Sequence, residues 1–464
     1  MADASKLDIE ASIGRHLHQT RLHDLPAAAV DQAKRAILWW TATGLEGSVE
    51  SEQARFRSYL SRQGGRPEAT VLGSSYRLPA ESAGLLNGRA GKAFEHEDKF
   101  WAGEAIGVAI GCCVVPAAVA TAQAVGNVSG AELISAVASA IDLEARLVRP
   151  VHPTFFFGRV ATNATFAFGN YGAAIAAAKI CRLDGDGVVN ALGIVHGQAA
   201  GYLQGQLEGR GVSVQCGFAV RNGIAAARLA AEGVEGARLS LTGQAGLYAA
   251  LFPGSDVNFG SLVEDLGRTY LGTELAFKAY PCGIVAHCAL DAVRTLRPQV
   301  GDRAIGEIEI LGPASLRIMS EPIGVKRRPR TAVEAEFSAP WAVACVLRDD
   351  ELTVDHYSRA SLADNGLLDV AGRVSVRLED RSSGTAVRIT LRDGTFLESE
   401  RVRVPRGHPR NPIATGEMRA LFCSSAARAT VAAASAHDAL RRLDALEYQE
   451  NVDDIYSLLS GGLT

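Results

Sequence analysis

The chain has 464 residues, of which 47% are hydrophobic, and its 47 basic residues are nearly balanced by 51 acidic ones. At roughly 100–200 residues per domain this length predicts about two to three structural units, and the lack of a basic excess excludes an ordinary nucleic-acid binder. Ten scattered histidines and eight cysteines form neither Cys-x-x-Cys nor His-Glu-x-x-His, so no metal site is expected.

From the N-terminus, Met1 to Glu10 lacks the basic start and apolar core of a signal peptide. Ile9, Ile13 and Leu17, then Val30, Ala33 and Ile37, recur at helical spacing. The apolar runs near 105–125 and 171–180 are rich in Ala and Gly and are interrupted, which suits buried helices better than membrane spans. Cysteines such as Cys112, Cys113, Cys181 and Cys345 sit inside apolar segments, as free thiols do in a reducing compartment, so a cytoplasmic protein is expected. Leu133, Ile134, Val137, Ile141 and Leu143 form a broad apolar stripe over 130–147, and Ser129 with Glu132 has the spacing of a capping box. Alanines at 173, 174, 176–178 and 225–227 allow helices to approach closely.

The periodicity changes after about residue 266. Ile308 with Ile310, Val374-Val376-Leu378 and Val387-Ile389-Leu391 read as strands. Asp393-Gly394 marks a turn, and the Val374 and Val387 runs are expected to pair as an antiparallel hairpin. Helical spacing returns after Pro412, through Met418 and Phe422 to Leu459. The expected fold is mostly α with a smaller α+β domain: a helical domain from 1–265 and 405–464, and an α+β domain over 266–404.

At the start of that second domain lies Phe277-Lys278-Ala279-Tyr280-Pro281-Cys282-Gly283-Ile284-Val285-Ala286-His287. Proline fixes its own φ and holds Tyr280 extended, so the segment predicts a bend leading into a helix over Cys288 to Arg297. A lysine beside backbone N–H groups can meet an anionic ligand; alternatively the segment is a surface turn with an exposed lysine.

Several segments, in order, resemble the MmgE/PrpD family, which includes 2-methylcitrate dehydratase, cis-aconitate decarboxylase and iminodisuccinate epimerase. They are Asn87-Gly88 with Glu95-His96-Glu97-Asp98, Val115-Pro116-Ala117-Ala118, Gly169-Asn170-Tyr171-Gly172-Ala173-Ala174 and Cys216-Gly217-Phe218-Ala219. They continue in Lys278-Ala279-Tyr280-Pro281 with His287, Ser338-Ala339-Pro340-Trp341-Ala342-Val343-Ala344 and Gly407-His408-Pro409-Arg410-Asn411-Pro412. The resemblance implies a large helical domain plus a smaller α+β domain, a homodimer, no cofactor and no metal. The implied chemistry adds or removes water, removes CO2 or inverts a carbon next to a carboxylate.

The chain departs from the family at most positions that carry this chemistry. A histidine after Asn-Gly is Lys92, the aspartate is Glu95, and a threonine beyond it is Lys99. A histidine before the Gly169/Gly172 pair is Asn163, a lysine and a histidine before Gly217 are Val212 and Gln215, and a tyrosine in the small domain is Trp341. Lys278 is the one basic group that keeps its place in the family pattern. Fewer cations imply a substrate with fewer carboxylates than citrate, because an uncompensated buried charge costs several kcal/mol, by order of magnitude.

The expected site is a pocket between the two domains, with Glu95 and Lys278 facing each other across a small molecule. Lys278 would hold a carboxylate or enolate oxygen, and Glu95, coupled to Asp98, would move the proton. Lys92, Lys99, Asn163, Arg210 and Tyr280 would orient the substrate and Trp341 would wall the site; His152 is a further candidate. The bland alternatives are an acidic loop that caps a helix or pairs with Lys92 and Lys99, a loop histidine, and a tyrosine that shapes its turn. Three classes stay open: a lyase or isomerase on a less acidic substrate, an enzyme with changed chemistry on a bulkier one, and a silent member that binds a ligand or partner.

Overall fold

The computed structural model describes residues 8–102, 105–151, 162–208, 211–379 and 383–462. The chain forms two compact units: Met1–Ala93, Glu97–Leu275 and Ala414–Thr464 in the first, Phe94–His96 and Ala276–Ile413 in the second.

The first unit is a helical bundle. Its main helices are α1 (Ile9–Gln19), α2 (Ala27–Gly47), α3 (Gln53–Ser61), α4 (Ala80–Gly91), α5 (Gly111–Val125), α6 (Gly130–Val148), α7 (Ala164–Ile180), α8 (Gly185–His196) and α9 (Val212–Ala231). Asp8 caps α1, its Oδ1 accepting from Ala11 N at 3.0 Å. The capping box of α6 forms as its spacing predicts: Ser129 Oγ accepts from Glu132 N at 3.2 Å, and Glu132 Oε2 accepts from Ser129 N at 2.9 Å. Each bond satisfies an N–H that the first helical turn leaves open.

Helix α7 is the centre of this unit. Every side chain from Ala164 to Ala178 is buried, and α5, α6, α8 and α9 pack around it. Such all-round burial needs small residues on some faces and large ones on others. The alanines supply the first, and Phe166 and Phe168, both 0% exposed, contribute about 1.5–3 kcal/mol each by burial. A short hairpin, β1 (Asp98–Ala102) and β2 (Ala105–Ile106), precedes α5. No helix of the described residues is long and apolar enough to cross a membrane.

The second unit is α+β. Its sheet has the order β4-β3-β5-β6, with β3 Ile305–Pro313, β4 Val374–Glu379, β5 Ala386–Leu391 and β6 Phe396–Glu398. Here the structure corrects the expected hairpin. The Val374 and Val387 runs do not pair with each other, because β3 lies between them. It runs parallel to β4 (Ile308 opposite Val374) and antiparallel to β5 (Ile308 opposite Ile389). Ile308 and Ile310 are fully buried, as suits the central strand; β4 and β5 read as a hairpin only because both carry the same alternation. The Asp393-Gly394 turn lies between Leu391 and Phe396, as the sequence predicts, and joins β5 to β6, with Asp393 Oδ1 accepting from Thr395 N at 2.8 Å and Gly394 at φ 87°. Helices α10 (His287–Val300), α11 (Ala339–Asp349) and α12 (Asn365–Gly372) complete this unit. Leu290 and Val293 of α10, Trp341 and Val343 of α11, and Ile308, Ile310, Val387 and Ile389 share one core. After Ile413 the chain returns to the first unit through α13 (Thr415–Arg428) and α14 (Ala433–Asp444).

Candidate active site

In the second unit, the segment from Phe277 to His287 bends as the proline predicts, passes through a short 3-10 turn at Ile284–Ala286 and becomes α10. A loop from Arg406 onward fixes the start of the bend. Phe277 N donates to the Gly407 carbonyl at 3.0 Å, and a Cβ at Gly407 would fall 1.8 Å from the Phe277 carbonyl oxygen. With φ at 91° as well, position 407 admits only glycine. Arg406 N donates to Asp291 Oδ2 at 2.7 Å, and Tyr280 Oη donates to Asp291 Oδ1 at 2.7 Å. The carboxylate of α10 thus ties the tyrosine to the loop.

This clamp sets Lys278 in the interior, 0% exposed. Its ammonium donates to Glu95 Oε2 at 2.8 Å and to the Glu95 carbonyl at 2.8 Å. Glu95, only 8% exposed, has φ 49°, a left-handed backbone unusual for a residue with a Cβ. Both residues belong to the second unit. They touch directly, rather than facing each other across a gap as the sequence reading has it.

Three neutral groups neighbour the pair. His287, fully buried, is pushed down to about 3, first by burial and then by the Lys278 charge, so its ring is uncharged at neutral pH. It meets the Tyr280 ring edge-on, centroids 5.2 Å apart. Burial raises the Cys282 thiol, with Lys278 pulling the other way and Glu95 and Glu336 adding to the rise; Cys282 is no thiolate nucleophile. Burial, then Asp291, raises the Tyr280 hydroxyl. Tyr280 therefore shapes the turn through Asp291.

The remaining acids and lysines of the Glu95 segment lie in the first unit, and there the structure corrects the expected roles. Asp98 is a helix cap: Oδ2 accepts from Ile110 N (2.9 Å) and Gly111 N (2.8 Å), and Oδ1 from Cys112 N (3.1 Å), at the start of α5. Burial, then Cys112, raises it to about 7 against the pull of those amides. Lys92 and Lys99 are held by Glu97 of the acidic loop at 3.3 and 3.0 Å. Its flanking lysines are the signal that could have singled it out. Asn163 donates to Gln206 Oε1 at 2.9 Å where α7 begins. Gln215, in place of a family histidine, grips the Tyr202 backbone from both sides, accepting from its N at 2.9 Å and donating to its carbonyl at 3.1 Å. Trp341 is 0% exposed within the apolar core of the second unit, a packing residue rather than a wall open to a ligand. His152 and Arg210 lie outside the described residues.

The arrangement offers a buried acid–ammonium pair, Lys278 with Glu95, in the second unit. The first unit adds a glutamate shared by two lysines.

Comparison with known proteins divides the chain between residues 260 and 280, and its second part runs on past Ile413 into the first unit. The model of the MmgE/PrpD N-terminal domain matches residues 11–260, and that of the MmgE/PrpD C-terminal domain matches residues 280–445. A cis-aconitate decarboxylase-like protein oryM of Aspergillus oryzae is 24% identical, over 98% of this chain and 98% of its own. Cis-aconitate decarboxylase of Homo sapiens is 22% identical over 90% and 88%, and that of Aspergillus terreus 23% over 83% and 82%.

Proposed function

The chain belongs to the MmgE/PrpD family, and from that premise we propose a cofactor-independent lyase acting beside a carboxylate or carbonyl of a small substrate less charged than cis-aconitate or 2-methylcitrate. The relatives named as cis-aconitate decarboxylases support a lyase-type enzyme. The observation that carries the finer reading is the buried contact between Glu95 and Lys278.

Elimination, hydration, decarboxylation and epimerisation beside an acid share one demand: electrons gather on an enolate-like oxygen as a bond to the neighbouring carbon breaks. An enclosed ammonium stabilises that charge far better than one in water. A substrate oxygen that exchanges for the Glu95 carboxylate on Lys278 takes up this stabilisation. The same exchange frees Glu95 to accept a proton from the carbon. Asn163 and Gln215, at family histidine positions, are engaged with Gln206 and Tyr202, which supports a substrate with fewer carboxylates to anchor.

The test is proton exchange in deuterated buffer, followed by NMR, across mono- and dicarboxylic hydroxy and unsaturated acids, with 2-methylcitrate and cis-aconitate alongside. Exchange next to the carboxylate of a mono- or dicarboxylate is expected, lost in Glu95→Gln and in Lys278→Met with circular dichroism unchanged. Efficient turnover of either tricarboxylate would contradict the reduced-charge reading. A silent ligand-binding member is the second reading. It is favoured by the closed state of the Lys278–Glu95 pair, and it takes over if no acid exchanges. We also propose the homodimer that the family resemblance implies; a monomeric mass by light scattering at micromolar concentration would exclude it.

A further inference from the structure

Three thiols from distant parts of the sequence meet inside the helical unit. Cys112 and Cys113 open α5 and Cys216 lies on α9; their exposures are 1%, 0% and 0%. Their sulfurs all lie within 4.8 Å of one another, and Cys113 Sγ is 3.7 Å from Cys216 Sγ. No disulfide joins them.

The local backbone explains why they converge. Asp98 holds the first turn of α5 through the N–H groups of Ile110, Gly111 and Cys112, which fixes where both neighbouring cysteines point. In an unbroken helix the N–H of residue 116 would bond the Cys112 carbonyl, but Pro116 has none. The Cys216 thiol takes that place and donates to the Cys112 carbonyl at 3.5 Å. On the opposite side Gly169 of α7 makes room, since a Cβ there would fall 2.6 Å from Cys113 Sγ.

Two further features distinguish this cluster from thiols that merely pack. Sulfur ligands at about 2.3 Å from a tetrahedral ion stand about 3.8 Å apart, close to the separation of Cys113 and Cys216. Beside the cluster, Glu144 is fully buried, and neither of its carboxyl oxygens makes a hydrogen bond among the described residues. Burial first, then the nearby Cys112 and Asp98, hold it well above the usual carboxylate range. A buried polar group without a partner calls for a water or ion that completes it.

We propose that Cys112, Cys113 and Cys216 form a structural site for a thiophilic divalent cation of the zinc class, tying the start of α5 to α9. The donor set selects the class: soft thiolates at tetrahedral spacing suit an ion of the zinc class, with a water in the fourth position. Binding releases three thiol protons to solvent and involves no oxidation. This revises the expectation of a metal-free chain, which followed from the absence of Cys-x-x-Cys and His-Glu-x-x-His spacings and from the family resemblance; the third ligand stands 103 residues from Cys113.

The test is titration of the reduced, full-length protein with Co2+. Thiolate-to-cobalt charge-transfer absorption in the near ultraviolet, with intense visible bands of a tetrahedral site, is expected to saturate at one equivalent. Zn2+ should displace it and raise the melting temperature. Cys216→Ser should lose both signals, and Cys345→Ser, at a buried thiol of the second unit, should keep them. Absence of charge transfer in the unaltered protein overturns the proposal whether or not the variants fold. So does a Cys113–Cys216 disulfide found by mass spectrometry in protein purified without reductant, which would make the cluster a redox pair.

Discussion

Lys278 Nζ lies 2.8 Å from both the Oε2 and the backbone carbonyl of Glu95, so one ammonium holds the side chain and the main chain of the same acid. Losing one member of a buried pair leaves the other uncompensated, at about 3–5 kcal/mol. Lys278→Met is therefore expected to destabilise by that order. Lys278→Met/Glu95→Gln should be more stable than the two single effects summed, because both charges are gone. Urea unfolding of the four proteins measures the coupling, and strict additivity would show that the contact contributes nothing.

Glu95 holds φ at 49°, where a Cβ costs about 1–2 kcal/mol. Glu95→Gly and Glu95→Ala both lose the carboxylate, but only alanine keeps the strain. The glycine variant should be the more stable by about 1 kcal/mol. A more stable alanine variant would mean that the backbone relaxes once the ion pair is gone.

His287 sets a pH dependence. Its pKa in the fold, about 3, lies below the ordinary 6.5 through burial and then the Lys278 charge, with His96 adding to the effect. The unfolded chain therefore takes up the proton first. The stability tied to the neutral ring is complete above pH 6.5 and is lost as pH falls toward 3. His287→Phe keeps an edge-on ring against Tyr280 and should reduce the loss of stability as pH falls between those values. His16, pushed down to about 4 by burial and then Arg146 and Lys179, leaves a residual slope. An unchanged acid limb in His287→Phe would place the titration elsewhere.

Gly172 of α7 and Glu144 of α6 are coupled by space. A Cβ at position 172 would fall 1.7 Å from Glu144 Oε2, and the carboxyl is enclosed. Gly172→Ala should destabilise by about 1–3 kcal/mol, as overpacking does. In the Glu144→Ala background the same change should cost little, because the obstructing atoms are absent. Equal costs in both backgrounds, by thermal unfolding, would show that Glu144 moves aside freely.

The sequence by itself determined what depends on neighbours within a few residues. Helical and alternating periodicities identify a mostly helical fold with a smaller α+β part, Ser129 and Glu132 mark the start of α6, and Pro281 bends the chain into α10. The turn Asp393-Gly394 is equally local and joins β5 to β6. The order of family segments names Glu95 and Lys278 as residues of interest, but their direct contact spans 183 positions. Only the tertiary structure decided that β3 separates β4 from β5, that Asp98 caps α5, that Glu97 gathers Lys92 and Lys99, that Trp341 is core, and that Cys216 joins Cys112 and Cys113. The physical reason is common to all of these. Spacing along a chain specifies which face a side chain takes, whereas its partner depends on which other face folds against it, and that choice is made by packing the whole unit.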